Sequence, residues 1–181
     1  MSTTPQPYTP VPGPTHSSAS KRRIAIIGIV VILAVVVVIV LAVVLIGSVK
    51  PPVDVYSRPT PPSTTAPEAL LLSSLAGHAR TNLQTSAVAG YADAIGTYDG
   101  NVQVEITRFD LTNAASAYLT LLSDQSRGSG SSTSVNAGGQ HWFTFTGSGT
   151  SYFAWRKEGW VFEVTAPTDA VRNQVAGALG Y

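Results

Sequence analysis

The sequence predicts an α+β fold class, in which a single N-terminal transmembrane helix precedes a small domain with an antiparallel sheet. Three observations lead to this prediction. Residues 24–46 form an uncharged apolar run, Asp99-Gly100 separates two segments of strand character, and aromatic-rich segments alternate with glycine turns after residue 139. An Asp-Gly pair favours a tight hairpin, and segments bounded by glycine indicate a meander. We therefore expect a hairpin plus a meander, covered by two or three helices.

The apolar run from Ile24 to Ile46 predicts a membrane span, because it contains no charged residue and no proline. A helix of this length would reach roughly 34 Å, which is enough to cross a bilayer core of about 30 Å. Lys21, Arg22 and Arg23 precede the run, so the positive-inside rule places the N-terminus in the cytoplasm. We predict an uncleaved signal anchor in the cell membrane. A cleaved signal peptide and a pilin-like helix are the alternatives.

Proline content divides the rest of the chain. Five prolines fall within the first twenty residues, and six lie between residues 48 and 67. Segments of this composition bury too little apolar surface to fold and favour an extended chain. We predict four parts: a disordered Pro/Ser/Thr-rich cytoplasmic tail (1–20), a basic flank and transmembrane helix (21–47), a Pro-rich extracytoplasmic stalk (48–67) and an α+β extracytoplasmic domain (68–181).

The first half of the domain predicts a short helix followed by the hairpin. The segment Ala69–Gly77 is mostly apolar and follows Pro67, which suits a helix start. Thr85–Tyr98 and Asn101–Phe109 are expected to pair as two strands across a two-residue turn. Apolar and polar residues alternate in the second strand, which predicts one packed face and one solvated face.

The second half predicts a helix, a meander and a last helix. Four residues at helical spacing give Leu111–Gln125 an apolar stripe: Leu111, Ala115, Tyr118 and Leu122. Ser126–Ser134 is rich in glycine and serine and is expected to be a flexible loop. The expected strands are Gln140–Thr146, Ser151–Arg156 and Trp160–Thr165, with Val135 ending a possible short strand before them. The final helix is expected from Thr168 to Leu179.

Composition and motifs exclude several classes of function. The chain has 11 basic and 10 acidic residues and no cysteine. It therefore lacks the basic surface of a nucleic-acid partner, a disulfide scaffold, a thiol nucleophile and cysteine metal ligands. The three histidines have no metal-ligand spacing, and neither a nucleophile elbow nor a phosphate-binding loop occurs. We predict no catalytic residue, no metal ligand and no cofactor.

Aromatic residues are concentrated in the predicted meander, and they have two interpretations. They form the core and cross-strand pairs of the sheet, or they form an exposed face that receives a partner, a lipid or a glycan. Adjacent aromatics such as Tyr152 and Phe153 point to opposite faces, so one of each pair should leave the main core. The candidate binding residues are Trp142, Tyr152, Phe153, Trp155 and Trp160.

We therefore expect a single-pass membrane-anchored protein that displays a small extracytoplasmic domain. Its architecture alone resembles small membrane-anchored domains of the prokaryotic cell envelope. The expected role is a non-enzymatic binding or accessory module, with the lipid bilayer and an envelope or membrane protein as partners. One alternative is a cell-envelope enzyme built from sequence-distant Ser, His and Asp, in which His78 and His141 would approach each other or a carboxylate in a cleft. The other is a structural subunit of a surface assembly. The oligomeric state does not follow from the sequence.

Overall fold

The structure is a computed structural model that describes residues 35–37, 49–127 and 130–181. The chain separates into two units, Met1–Val44 and Leu45–Tyr181. In the first unit, Val35–Val37 are helical and exposed. The predicted tail and nearly all of the predicted transmembrane helix lie outside the described residues. Within the described ranges, no helix combines the length and the apolar character needed to cross a membrane.

The second unit is built on one antiparallel sheet of eight strands. The strands occur in the spatial order β1-β2-β3-β4-β8-β7-β6-β5, so the pairing of β4 with β8 joins two meanders. A 3₁₀ turn covers Pro67–Leu70, and two α-helices complete the fold, α1 (Thr112–Ser126) and α2 (Asp169–Leu179). The strands are β1 (Ser74–Leu75), β2 (His78–Val88), β3 (Tyr91–Tyr98), β4 (Val102–Phe109), β5 (Ser131–Ala137), β6 (Gln140–Gly147), β7 (Thr150–Lys157) and β8 (Trp160–Ala166).

The predicted fold class is wrong, because the unit is an antiparallel half-barrel in which strands make up 44% of the described residues. The sequence predicted a hairpin and a meander beneath two or three covering helices. The predicted meander and the pairing of β3 with β4 are present, and α1 and α2 lie close to their predicted positions. Strands β1, β2 and β5 extend this arrangement into one large sheet. The sequence predicts a helix in place of β1, a single strand in place of the β2–β3 hairpin and a loop in place of most of β5.

The first of these errors is the predicted helix Ala69–Gly77. Its place is taken by the 3₁₀ turn, the two-residue strand β1 and a tight turn at Ala76 and Gly77, which have φ of 50° and 88°. The three buried leucines of this segment, Leu70, Leu71 and Leu75, pack on the sheet. Burial against the sheet therefore overrides the helical preference of a short leucine-rich segment.

The second error is the single strand predicted over Thr85–Tyr98, which is a hairpin. Val88 pairs with Tyr91, and Gly90 turns the chain with a φ of 99°. The turn Ala89-Gly90 lacks the Asn-Gly or Asp-Gly pair that signals a hairpin in sequence. The turn at Asp99-Gly100 also includes Asn101, so it has three residues rather than the predicted two.

The third error concerns the predicted loop Ser126–Ser134. Helix α1 extends to Ser126, and β5 begins at Ser131 and pairs with β6 along its whole length. Val135 is buried whereas the other β5 side chains are exposed, so an edge strand can have the polar composition of a loop. The predicted stripe of α1 is also rotated, since Leu111 is exposed and Leu119 is buried.

The two faces of the sheet are packed differently. The face that carries Phe153, Trp155 and Phe162 is covered by α2 and by the leucines that precede β2, and we call it the apolar face. The opposite face is covered in part by α1. Its apolar cluster is small and consists of Ala115, Leu119, Phe143, Ala154 and Val161. We call this second side the α1 face.

The proline-rich residues between Val53 and Pro67 lie against this unit. Val55 is buried in the apolar core, and Trp160 Nε1 donates to the carbonyl of Pro61 at 3.1 Å. The ammonium of Lys157 donates to the carbonyls of Val55, Arg58 and Pro59. This part of the expected stalk is therefore packed on the domain, because its carbonyls and apolar side chains have partners there.

Candidate functional site

A cavity of about 290 Å³ opens on the α1 face, between α1 and strands β3 and β4. Its wall combines carboxylates, aromatic rings and hydroxyl groups. Ligand sites of this size usually combine apolar walls with a few polar groups. The lining residues are Tyr91, Asp93, Glu105, Thr107, Phe109 and Tyr118.

Strand alternation explains why these side chains meet. Glu105, Thr107 and Phe109 occupy every second position of β4, so they share one face. The antiparallel register then places Asp93 opposite Thr107 and Tyr91 opposite Phe109. Tyr118 comes from α1, which crosses above these strands. The cavity is therefore fixed by the register of the hairpin and by the position of one helix.

A second glutamate lies directly behind the cavity. Glu163 on β8 pairs in register with Glu105 on β4, which brings two carboxyl groups onto neighbouring positions of one face. Glu163 is buried, and Tyr152 Oη donates a hydrogen bond to its Oε2. Burial raises the pKa of Glu163, although the nearby hydroxyls of Tyr152 and Tyr118 act in the opposite direction. Its other oxygen, Oε1, is buried and has no hydrogen-bond partner among the residues that the structure describes.

The pKa of Glu105 is raised by the same surroundings. Burial, the charge of Glu163 and the charge of Asp93 raise its pKa to about 7. The side chain is partly buried and lines the cavity. Like charges on directly opposed residues destabilise a sheet. Protonation of one carboxyl group relieves this repulsion, which is why the charge of Glu163 raises the pKa of Glu105.

Thr107 also has a polar atom without a partner. Its side chain is 3% exposed, and Oγ1 makes no hydrogen bond within the described residues. A buried hydroxyl without a partner is unfavourable by about 1–3 kcal/mol. Thr107 forms part of the cavity wall, but Oγ1 itself is buried, so a ligand gains its hydrogen bond only if the wall shifts locally.

Three aromatic rings form the remaining wall. The ring centroids of Tyr91 and Phe109 are 5.9 Å apart, and those of Phe109 and Tyr118 are 5.3 Å apart. Both pairs are tilted, with interplanar angles of 35° and 47°. Ring faces attract apolar groups and cations. The arrangement can therefore hold a ligand that has both apolar and positively charged parts.

The cavity does not have the composition of a metal or nucleophile site. Among the described residues, no three His, Cys, Asp or Glu side chains are grouped closely enough to hold a metal ion together. The lining residues include no histidine. What the site offers chemically is proton exchange at Glu105, hydrogen bonding at Thr107 and an apolar wall.

The aromatic residues proposed from the sequence lie elsewhere. Four of them, Trp142, Phe153, Trp155 and Trp160, are buried on the apolar face. Phe153 and Trp155 stack at 4.8 Å between ring centroids. The leucines of the segment before β2 and helix α2 cover this face. These four side chains therefore serve as core in the structure, which is the first of the two interpretations that the sequence left open.

Tyr152 is the candidate aromatic that belongs to the α1 face. It is partly buried, packs on Phe143 with ring centroids 5.1 Å apart, and donates to Glu163. Its hydroxyl has a strongly raised pKa because it is buried and lies beside that carboxylate. Tyr152 therefore positions Glu163 behind the cavity.

The two histidines of the enzyme alternative are not brought together. His78 is on β2 and His141 is on β6, with four strands between them in the sheet. His78 Nδ1 lies 3.1 Å from Asp99 Oδ1 at the surface, whereas buried His141 Nδ1 lies 3.2 Å from Ser116 Oγ. One pair has a carboxylate and the other a serine, so neither completes a triad among the described residues.

Sequence reasoning missed the site because each of its residues looked ordinary. Glu105 and Thr107 were placed on the solvated face of the hairpin, and Tyr118 was assigned to a helical core stripe. One signal was present: Glu163 interrupts the apolar strand Trp160–Ala166. A charged residue in the middle of a central strand indicates a buried polar group that requires partners.

Comparison with known proteins assigns no family. No family model matches the chain, and no curated protein matches it. A GTP-binding regulator from Thermotoga maritima with a known crystal structure is similar over 66% of this chain and 88% of that chain, with 10% sequence identity and a TM-score of 0.46. Similarity at this level carries no argument about function.

Proposed function

We propose that this chain is a non-enzymatic binding module that accepts a small ligand in the cavity between α1 and strands β3 and β4. The observation that carries the proposal is the cavity itself, whose wall combines two carboxylates, three aromatic rings and Thr107, a residue whose buried hydroxyl has no hydrogen-bond partner among the described residues. Buried polar groups normally have partners. A ligand that donates a hydrogen bond to Oγ1 would supply the missing one.

The carboxyl groups support a binding role for the same cavity. Perturbed pKa values in a concave site are typical of functional sites, and Glu105 has a pKa raised to about 7. The cavity wall provides orientation through Thr107 and Glu105 and apolar contact through three rings. It provides no activated nucleophile, which favours binding over covalent catalysis.

The test is a small-molecule screen on the full chain in mild detergent, with thermal stabilisation as the readout. Any compound found is then measured against Thr107→Val, which keeps the shape of the side chain and removes the hydroxyl. Thr85→Val on exposed β2 is the matched control. The proposal expects stabilisation of the wild type and of the control, and at least a several-fold weaker effect in Thr107→Val. Equal stabilisation of all three proteins would place the ligand elsewhere, and turnover of a bound compound would contradict the non-enzymatic role.

Membrane attachment is the second part of the proposal, and it rests on the sequence of residues 24–46. We propose that this apolar run holds the module at a cell membrane with the domain outside. The experiment compares full-length protein with a variant that lacks residues 24–46, after separation of membranes from soluble material. Recovery of the full-length protein in the membrane fraction and of the deletion variant in the soluble fraction is the expected result. Full-length protein in the soluble fraction would contradict this part.

A structural role in an assembly is the second candidate, and the edge of the sheet favours it. Strand β2 pairs with β1 only at its first two residues, so the outer edge of Thr81–Val88 has no strand partner within the described residues. That stretch carries no charge and no proline, although such residues usually protect sheet edges. A large oligomer in mild detergent that dissociates in Leu83→Lys would support this role. A monomer would count against it.

A further inference from the structure

We propose that the ligand of the cavity is a small organic cation, a protonated amine that also has an apolar part. The inference rests on the proposed binding function and names the chemical class that the cavity accepts. Three features of the site lead to it. They are the carboxylates without a salt-bridge partner in the described chain, the Thr107 hydroxyl without a hydrogen-bond partner there, and the wall of three aromatic rings.

The carboxylates in and behind the cavity have no cationic partner. Asp93, Glu105 and Glu163 take part in no salt bridge within the part of the chain that the structure describes. Asp169 shows the contrast, since its Oδ1 lies 3.0 Å from Arg172 Nη1. Buried charges are normally paired. The cavity wall therefore carries acidic groups and no basic one, and a cationic ligand would balance their charge.

The residues that line the cavity include no basic side chain. The titratable groups around Glu105 are Asp93 and Tyr91 on β3, Glu163 on β8, Tyr118 on α1 and Tyr152 on β7. A basic group on this sheet face is Arg156 on β7, which pairs in register with Val161 and donates to the carbonyl of Glu158. Arg108 follows Thr107 on β4 but donates instead to the carbonyls of Ser63 and Thr65 at 3.0 Å. Strand alternation directs it away from the cavity.

An organic cation fits the available groups better than a metal ion. A metal ion requires several oxygen ligands at once, and the described residues offer no suitable group of three. An ammonium group needs only a few acceptors, and the carboxylates of Asp93 and Glu105 line the same cavity. Each N–H that donates to a carboxylate makes a charge-assisted hydrogen bond, which is roughly twice as strong as a neutral one.

The aromatic wall selects the rest of the ligand. The rings of Tyr91, Phe109 and Tyr118 lie side by side at 5.3–5.9 Å between centroids. A cation near the face of such a ring gains electrostatic attraction, and a flat apolar group gains contact area. The same rings and carboxylates disfavour an anion, because an anion would lie beside like charges.

Three probes of matched shape test the inference: benzylamine, benzyl alcohol and benzoate, which are cationic, neutral and anionic at pH 7.5. Binding is measured by NMR titration of the full chain in detergent micelles, with the aromatic resonances of the cavity as the site-specific signal. We expect benzylamine to bind at least tenfold more tightly than benzyl alcohol, and benzoate to give no shift at the cavity. Glu105→Gln should weaken benzylamine about tenfold and leave benzyl alcohol unchanged, whereas Glu68→Gln, a change of an exposed glutamate, should alter neither.

The outcomes separate this inference from the proposed function. If benzyl alcohol or benzoate binds the cavity as tightly as benzylamine, the cation assignment is overturned while the binding function stands. If benzylamine binds but Glu105→Gln leaves its affinity unchanged, the carboxylate is not the recognising group and the inference is overturned. If none of the three probes shifts the cavity resonances, the cation assignment fails, and the broader screen against Thr107→Val decides the binding function separately. Unchanged chemical shifts elsewhere in Glu105→Gln verify that the variant is folded.

Discussion

Strand β8 presents two opposite chemistries on its two sides. On one side, Trp160, Phe162 and Val164 are buried in the apolar core, and on the other, Glu163 is buried beside Glu105 with one oxygen unpartnered. The first side packs against apolar groups, whereas Glu163 on the second side lies behind the cavity. Burial of apolar surface on the apolar face stabilises the folded state. The polar groups of the α1 face lower that stability, because some of them lack a hydrogen-bond partner within the described residues.

The two faces also differ in how completely they are covered. The apolar face is closed by α2, by the leucines before β2 and by the packed proline-rich segment, with Tyr181 stacking on Phe162 at 6.2 Å. The α1 face has one helix above it and a cavity of about 290 Å³ beside that helix. Unpartnered polar atoms do not separate the two faces, since Trp142 Nε1 and Trp155 Nε1 in the apolar core are also buried without a hydrogen-bond partner among the described residues. What separates them is the buried carboxyl group of Glu163, which belongs to the α1 face.

The largest loss of stability is expected from Trp155→Ala on the apolar face. Trp155 stacks between Phe153 and Phe162, with ring centroids 4.8 and 5.2 Å away. Removing a buried tryptophan leaves a cavity, so the free energy of unfolding should fall by about 3–5 kcal/mol. Urea unfolding followed by circular dichroism measures the change. Leu121→Ala on the exposed side of α1 is the control, with an expected change within about 0.5 kcal/mol.

A smaller effect is expected from Lys157→Met, which tests how the proline-rich segment is attached to the apolar face. The substitution keeps the aliphatic length and removes the donor to the carbonyls of Val55, Arg58 and Pro59. Leaving these carbonyls without that partner should lower stability by about 2 kcal/mol. Hydrogen exchange should then become faster within residues 53–61 first. Equal protection in the variant would show that Lys157 does not attach this segment.

The α1 face should make the free energy of unfolding depend on pH. Because the folded-state pKa of Glu105 is raised to about 7 from 4.5, the folded state binds more protons than the unfolded state between these values. The contribution of Glu105 to stability is therefore fully present below about pH 4.5, and this contribution is lost as the pH rises through about 7. We expect a loss of roughly 1 kcal/mol between pH 5 and pH 8, after allowance for partial exposure.

Glu105→Gln isolates this contribution, because the amide does not titrate. The variant should lose much of the decline in stability between pH 5 and pH 8, and Glu68→Gln should retain it. Chemical denaturation at several pH values measures both. Benzylamine affinity should change with pH in the opposite direction in the wild type, rising as Glu105 loses its proton. Parallel pH profiles for stability and affinity would contradict the account.

The smallest effect on stability is expected from Thr107→Val. Since Oγ1 is buried without a partner, the apolar isostere should leave stability unchanged or raise it by up to about 1 kcal/mol. The same variant should bind benzylamine several-fold more weakly than the wild type does. A marked loss of stability in Thr107→Val would mean that the hydroxyl has a structural partner, and it would remove one of the observations behind the proposed function.

Local patterns predicted some elements of the fold well. The predicted strand Trp160–Thr165 corresponds to Trp160–Ala166, and the predicted helix Leu111–Gln125 to Thr112–Ser126, because alternation and helical spacing are clear signals. The last helix begins at Asp169 rather than at Thr168, since Thr168 is its N-cap and accepts from the Val171 amide at 3.3 Å. The extent of the sheet did not follow from such signals. Ala89-Gly90 is not a strong turn pair, and β5 has the composition of a linker, so both strands form because of their tertiary pairing.

The candidate site was harder to predict than the elements that build it. Glu105 and Glu163 are 58 positions apart in the sequence, and they become neighbours only through the pairing of β4 with β8. Sequence reasoning could place each on a strand face, but it could not choose which strands are adjacent. Aromatic density drew attention to Trp142 and Trp155, although density of this kind more often marks a core.

The most direct test of the contrast between the two faces is a carboxyl NMR titration of the full chain with ¹³C-labelled glutamate, assigned with Glu105→Gln and Glu163→Gln. The account predicts that Glu105 titrates near pH 7, that Glu163 is also raised above 4.5, and that saturating benzylamine lowers the pKa of Glu105. Titration of both groups near 4.5 with no response to benzylamine would show that the α1 face holds ordinary solvated carboxylates, and the central claim would be wrong.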